Sequence, residues 1–263
     1  MSGTTDTGTT VGTDITRAEV CVVACADAWR GSGEILAHAV GIVPTISARL
    51  AKLTFEPDLV LTDGDCFLMS EPPPLGRNAS AGGTIESWAP FRRVFEILAT
   101  GRRHSMMGAS QVDRYGNQNI SSIGDWRKPT RQLIGVRGAP GNTVNHRTDY
   151  WIGKHSARVL VEAVDVVSGV GNDRARAHEG SALRFHDLGV VVTDLAVLDY
   201  DTEGRLKVRS LHPGVTAEEV TENTGFAIDT STAATTRLPT TEELDLIRTV
   251  LDPKGLRDKE VRR

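Results

Sequence analysis

Glu34-Ile35-Leu36-Ala37-His38-Ala39-Val40, Gly41-Ile42-Val43-Pro44, Ile46 to Leu53 and Leu59-Val60-Leu61-Thr62 follow one another closely, and their reading decides the fold. The first segment is short and apolar, as a strand is. Gly41 to Pro44 breaks it. Ile46 to Leu53 has helical spacing, with Arg49 and Lys52 expected on the outward face. Leu59 to Thr62 is again apolar and rich in strand formers. Strand, helix and strand in this order make a βαβ unit, whose strands are parallel and covered by helices. In such sheets ligands lie beyond the carboxyl ends of the strands. The residues that follow, Asp63-Gly64-Asp65-Cys66, therefore occupy a candidate site.

Upstream of this unit, Arg17 to Trp29 carries Val20, Val23, Ala24 and Ala28 at helical spacing, and the glycines at 31 and 33 close that helix. Met1 to Asp14 is rich in Gly and Thr, with neither a basic start nor an apolar core, so it reads as a loose tail and not a signal peptide. Residues 15–263 are then expected to form a single domain. Downstream, Glu71 to Gly83 is a Pro/Gly-rich loop, and Phe91, Val94, Phe95 and Leu98 mark a helix that stops at Gly101. A strand from His104 to Ala109 and a tight turn at Asp113 to Asn117 come next. Tyr150 to Ile152, Arg158 to Val167, Leu188 to Thr193 and Ala196 to Tyr200 are strand-like, and Asp201 to Gly204 turns into Arg205 to Leu211. Thr216, three residues before Glu219, opens a short helix, and Thr241 to Leu251 forms a last one.

The chain has 263 residues, 39% of them hydrophobic, which is enough for one large α/β core. Lys and Arg total 30 against 34 for Asp and Glu, so no broad positive field favours nucleic acid or an anionic membrane surface. The longest apolar runs, Val20 to Ala26 and Leu188 to Val192, fall far short of the roughly 20 residues that cross a bilayer. Three cysteines without CxxC spacing suit neither a disulfide framework nor a zinc site, and a cytoplasmic setting is expected. The histidines are scattered, and neither GxxxxGK nor a GxSxG elbow occurs, so no metal site is expected. Gly135 to Gly141 could offer backbone N–H groups to an oxyanion, although a plain flexible loop explains the composition as well. Arg127, Lys128, Arg131 and Arg137 could meet phosphates or could be scattered surface cations.

Several blocks in sequence order are more specific. Pro57-Asp58 enters the second strand; Gly108-Ala109-Ser110-Gln111-Val112-Asp113 runs into Tyr115-Gly116-Asn117-Gln118-Asn119; Ser121-Ser122-Ile123-Gly124-Asp125 follows. Further on come Gly138-Ala139, Val191-Val192-Thr193-Asp194, Pro213-Gly214-Val215-Thr216 and Glu222-Asn223-Thr224-Gly225-Phe226. From Arg17 to Pro253 the chain resembles the β subunits of glutaconate-type class I CoA-transferases. The resemblance implies an open, largely parallel α/β sheet with helices on both faces and an acyl-CoA substrate. It also implies an active site shared with a homologous α subunit, paired again into α2β2. No separate cofactor is implied, since CoA enters as part of the substrate.

One departure bears on the chemistry. In the transferases the strand entered at Pro-Asp ends in a glutamate that forms the covalent intermediates, whereas here it ends in Thr62-Asp63-Gly64-Asp65. An ungapped match puts Gly64 at the nucleophile position, and a one-residue gap puts Asp63 there. Aspartate is shorter by one methylene, and a nucleophile displaced by about 1 Å loses on the order of a hundredfold in rate. The replacement resembles a hydrolytic branch of the family, two-subunit enzymes that open the last ring in actinobacterial steroid catabolism. That likeness implies water addition to a cyclohexenone carboxyl-CoA, with the working carboxylate on the α subunit. Backbone N–H groups of Gly138 and Ala139, beside Arg137 and Asn142, are then the candidate stabilisers of carbonyl charge. Two other readings stay open: a transferase with Asp63 as nucleophile, and a β chain that only binds CoA as a scaffold. Asp63 and Asp65 also suit a strand-ending turn and nothing more.

Overall fold

The computed structural model describes residues 15–64, 66–77, 79–178, 180, 181 and 183–261. Thr16 opens α1 (Arg17–Asp27) with a capping box, its hydroxyl accepting from the Glu19 N–H while the Glu19 carboxylate accepts from the Thr16 N–H. The chain then enters β1 (Leu36–Ala39) and α2 (Ile42–Thr54). Gly41 to Pro44 is thus the start of the helix and not a break. Pro44 lies in the first turn, where a missing N–H forfeits no helical bond. β2 (Leu61–Thr62) follows, and just before it Val60 forms a parallel bridge with Leu36, as the βαβ reading requires.

β2 continues into a small antiparallel sheet with β3 (Phe67–Glu71) and β4 (Thr84–Trp88). Then come α3 (Phe91–Ala99) and β5 (Arg103–Met107). The Gly108–Asn119 block forms β6 (Gln111–Asp113) and β7 (Gln118–Asn119), and β8 (Ser122–Ile123) pairs with β9 (Arg131–Gln132). The remaining elements are α4 (Ala139–Asn145), β10 (Arg147–Ile152), β11 (Leu160–Val161), α5 (Asn172–Ala177), β12 (Asp187–Thr193), β13 (Ala196–Tyr200), β14 (Leu206–Leu211), α6 (Ala217–Glu222), β15 (Ala234–Thr235) and α7 (Thr241–Asp245). A π-helical stretch, Leu246–Leu251, extends α7, and a 3-10 turn, Leu256–Lys259, follows. The strand expected over Arg158 to Val167 shrinks to two residues, because only Leu160 and Val161 find a partner, in β6.

The central sheet runs β1-β5-β10-β12-β13-β14-β15. Its first four strands are parallel, β12 to β14 form an antiparallel meander, and β15 returns parallel to β14. The fold is a mixed α/β one with a mostly parallel sheet. Alternate side chains feed two cores, as the pleat dictates. Met106, Trp151, Val190 and Val192 join α1 and α2 on one face, while Met107, Tyr150, Leu188 and Val191 point into the other. Trp29, Ile46 and Leu50 are fully buried in the first core, each aliphatic side chain contributing on the order of 1.5–3 kcal/mol.

Two long-range ties hold the C-terminal segment to this frame. Glu19, wholly buried, accepts from Arg248 at 2.7 Å and Arg257 at 3.0 Å. Glu260 accepts from the first two N–H groups of α2, Ile42 at 2.7 Å and Val43 at 2.9 Å, and from the Trp151 indole at 3.1 Å. A carboxylate at that position meets the positive end of the helix dipole.

Candidate functional site

The turn between β2 and β3 is where the candidate residues fall. The Asp63 N–H donates to the Phe67 carbonyl at 3.2 Å, and the Phe67 N–H donates back to Asp63 Oδ1 at 3.1 Å. Thr62 Oγ1 accepts from the Gly64 N–H at 3.1 Å. Asp63 is therefore tied into the turn by its own side chain. Gly64 is exposed at φ +87°, and a Cβ built there meets no atom within 4 Å. Asp65 lies outside the described residues.

Thr62, Asp63 and Gly64 line a cavity of about 610 Å³ at the carboxyl ends of β1 and β2. Ala37 and Ala39 form its floor side, and Ile42, Thr45, Ala48 and Arg49 come from one face of α2. The position beyond the strand ends is the one that the βαβ reading assigned to a ligand. Arg49, expected to point outward, is only 8% exposed. Helical periodicity registers a polar residue on a stripe, but not the segment that later covers the stripe. Here Pro72 to Pro74 and Val250–Leu251 face it, lining with Arg49 a second cavity of about 300 Å³.

The second candidate group stands elsewhere: neither Arg137, Gly138, Ala139 nor Asn142 lines the 610 Å³ cavity. Arg137 is exposed at φ +50° and leads into Gly138, the N-cap of α4. The Gly135–Gly141 stretch is thus half loop and half helix start. The Ala139 N–H already donates to the Val136 carbonyl at 3.0 Å, which takes it out of the set of open donors. The Gly138 N–H has no partner among the described residues. Asn142 is 4% exposed, its Nδ2 reaching the Met107 Sδ at 3.6 Å and its Oδ1 unmatched. Among the described residues, the 610 Å³ cavity brings together Thr62, Asp63 and Gly64 without the second group.

The Asp113–Asn117 block is a turn in fact. Asp113 Oδ1 accepts from the N–H groups of Tyr115 and Asn117, and Asn117 Nδ2 bridges Asp113 and Asp173. Sequence reading missed a Ser32–His104–Asp149 chain, whose members are scattered along the sequence. Ser32 Oγ meets His104 Nδ1 at 3.1 Å, and His104 Nε2 bonds the fully buried Asp149. It lies at the amino ends of the parallel strands, away from Thr62. The N–H groups of Gly31 and Gly33, on either side of Ser32, both donate to Glu56, so these two backbone groups are not open to an oxyanion. The chain of bonds knits α1's exit to the sheet.

This sheet, with a cavity-lining turn at its parallel strand ends and a meander at its far edge, is that of an α/β subunit of the CoA-transferase type. The chain belongs to the Coenzyme A transferase family, which residues 32–223 match. It is 53% identical over 251 residues to the cholesterol ring-cleaving hydrolase IpdB subunit of Rhodococcus jostii (strain RHA1), covering 95% of this chain and 97% of that one. It is 32% identical over 237 residues to a glutaconate CoA-transferase subunit from Acidaminococcus fermentans, covering 84% and 87%. The crystal structure of Rhodococcus jostii RHA1 IpdAB superposes with a TM-score of 0.90 at 51% identity, over 95% of this chain and 100% of that one. Among the described residues, no helix is long and apolar enough to cross a membrane.

Proposed function

We propose that this chain is the β-type subunit of a heteromeric CoA-thioester hydrolase that opens a carbon–carbon bond in a steroid-derived ring. The observation that carries the reading is the turn after β2, taken with the likeness to the ring-cleaving hydrolase. The glutamate that the transferases use is replaced there by a glycine at φ +87° and an aspartate bonded into its own turn. A carboxylate engaged in that way is poorly placed to attack a thioester carbonyl in line. The open space over Gly64 suits a bulky acyl ring and a water molecule instead.

In this reading a homologous α subunit completes the site and supplies the general base, in an α2β2 assembly working in the cytoplasm. Water adds to a ring carbonyl, and the charge that develops on oxygen requires N–H donors. Gly138, with its open N–H and with Arg137 and Asn142 beside it, is the backbone candidate on this chain; it stands outside the 610 Å³ cavity, so it serves this reaction only where the αβ interface joins the two. The Thr62–Gly64 turn shapes the wall. CoA belongs to the substrate, and no further cofactor is called for.

Purified β chain alone should show no turnover of a cyclohexenone carboxyl-CoA, and mixing with its α subunit should restore it. Full turnover by the β chain alone would remove the shared-site model. A transferase remains the second reading because Asp63 does line the cavity. Incubating the complex with acyl-CoA and then borohydride separates the two, since only a transferase traps a modified Asp63.

A further inference from the structure

Arg49 is an arginine in the wrong place for a structural residue. It is 8% exposed, yet among the described residues it has no hydrogen bond and no ion pair, and burial alone draws its guanidinium below the usual arginine range. A guanidinium so largely removed from bulk water is desolvated, and no partner among the described residues offsets that. Its surroundings do not offset it either. Of the two carboxylates on the shared cavity, Glu260 is bonded to the α2 N-terminus and Trp151, and Asp63 Oδ1 to the Phe67 N–H. Arg77, an exposed cation, stands on the same cavity. Arg49 also reaches the adjoining 300 Å³ cavity, where the one carboxylate among the lining residues, Glu71, accepts from Thr84 Oγ1 at 2.6 Å and a second cation, Lys52, stands beside it. An unpaired guanidinium held between two cavities is built to receive an anion, and its planar fork matches a carboxylate or phosphate.

We propose that Arg49 anchors an oxyanion group of the bound acyl-CoA, a phosphate or a carboxylate, in the cavity beside Asp63 and Gly64. The proposal rests on the reading that the αβ complex binds acyl-CoA. It adds that this chain, through α2, supplies a charged contact to that ligand. Helix α2 is suited to the task, because Ile42, Thr45 and Arg49 share the face that lines the cavity and the helix is pinned at its start by Glu260.

The test uses the αβ complex carrying Arg49→Met or Arg49→Lys, titrated calorimetrically with CoA and with an acyl-CoA bearing a free carboxylate. Arg49→Met should melt no lower than the parent, since an unpaired charge is replaced by an apolar chain of similar length. It should nevertheless weaken binding at least tenfold, and Arg49→Lys should recover part of the loss. A loss with CoA itself identifies a phosphate as the group held. A loss confined to the carboxylated acyl-CoA, with CoA unchanged, identifies the acyl carboxylate. Parent-like affinity for both ligands in Arg49→Met would overturn the assignment. Absence of CoA binding by the parent complex would instead sink the functional reading, and this assignment with it.

Discussion

Gly64 combines a left-handed backbone with open space where a Cβ would stand, and the two properties predict different effects for different side chains. Any L-residue bears the strain of φ +87°, so Gly64→Ala should cost about 1 kcal/mol of stability, read from urea denaturation. Gly64→Glu bears the same backbone cost and also places a charged side chain at the cavity mouth. Its ring-opening rate should fall well beyond what the stability loss explains, because ring and water need that volume. A Gly64→Glu complex that folds normally and hydrolyses at the parent rate would contradict the vacated-site reading. The candidate status of Asp63, by contrast, came from its place after a strand. Its bond to the Phe67 N–H depends on hairpin geometry and could not be read beforehand.

At the scale of elements, α2 shows how a distant residue completes a local structure. Its N-cap, Gly41, has no side chain to offer, and the capping task passes to Glu260, which stands 218 residues beyond Ile42. Glu260→Ala should lose roughly 2–3 kcal/mol, combining two charge-assisted bonds at a helix start with the Trp151 contact. Chemical denaturation of the variant measures this, and a change below about 0.5 kcal/mol would mean that water replaces the carboxylate without loss. Helix α3 shows the opposite limit of local reading. Phe91, Val94, Phe95 and Leu98 give the expected apolar stripe, yet Phe91 is 72% and Phe95 53% exposed, and only Leu98 is buried. Periodicity established the helix and left open whether this chain covers its stripe.

For the whole molecule, buried neutral histidines set the response to acid. Burial lowers His38 to about 3 and His146, His155 and His212 to about 4. Between those values and the ordinary 6.5 the unfolded chain binds protons that the folded chain refuses. Their contribution to stability is therefore intact above about pH 6.5 and is lost progressively as pH falls toward 4. Melting temperature should decline across that window. His155→Gln, which can still bond Thr193 and Thr224, should flatten the decline even if it lowers stability at neutral pH. An unchanged slope would place the acid sensitivity in other groups. Glu19 acts at lower pH: burial raises its carboxyl, but the bonds from Arg248 and Thr16 bring it net below 4.5, so its tie is lost only as pH falls through that lower value.

The βαβ alternation, the parallel start of the sheet, the Asp113–Asn117 turn and the family were all legible, because each rests on spacing or on contiguous motifs that neighbours along the chain enforce. The same logic placed Asp63 and Gly64 at a strand end, where a cavity indeed opens. Contacts across the chain decided the rest. Arg49 reads as an outward cation until residues 72–74 and 250–251, distant in sequence, wall in the cavity it faces. Ala139 reads as an open donor until the backbone bends its N–H onto Val136. His104 and Asp149 are brought together by strand order, and Ser32 reaches them from the turn before β1. Burial and hydrogen-bond partnership belong to pairs of residues far apart in sequence, so no local pattern of side chains can carry them.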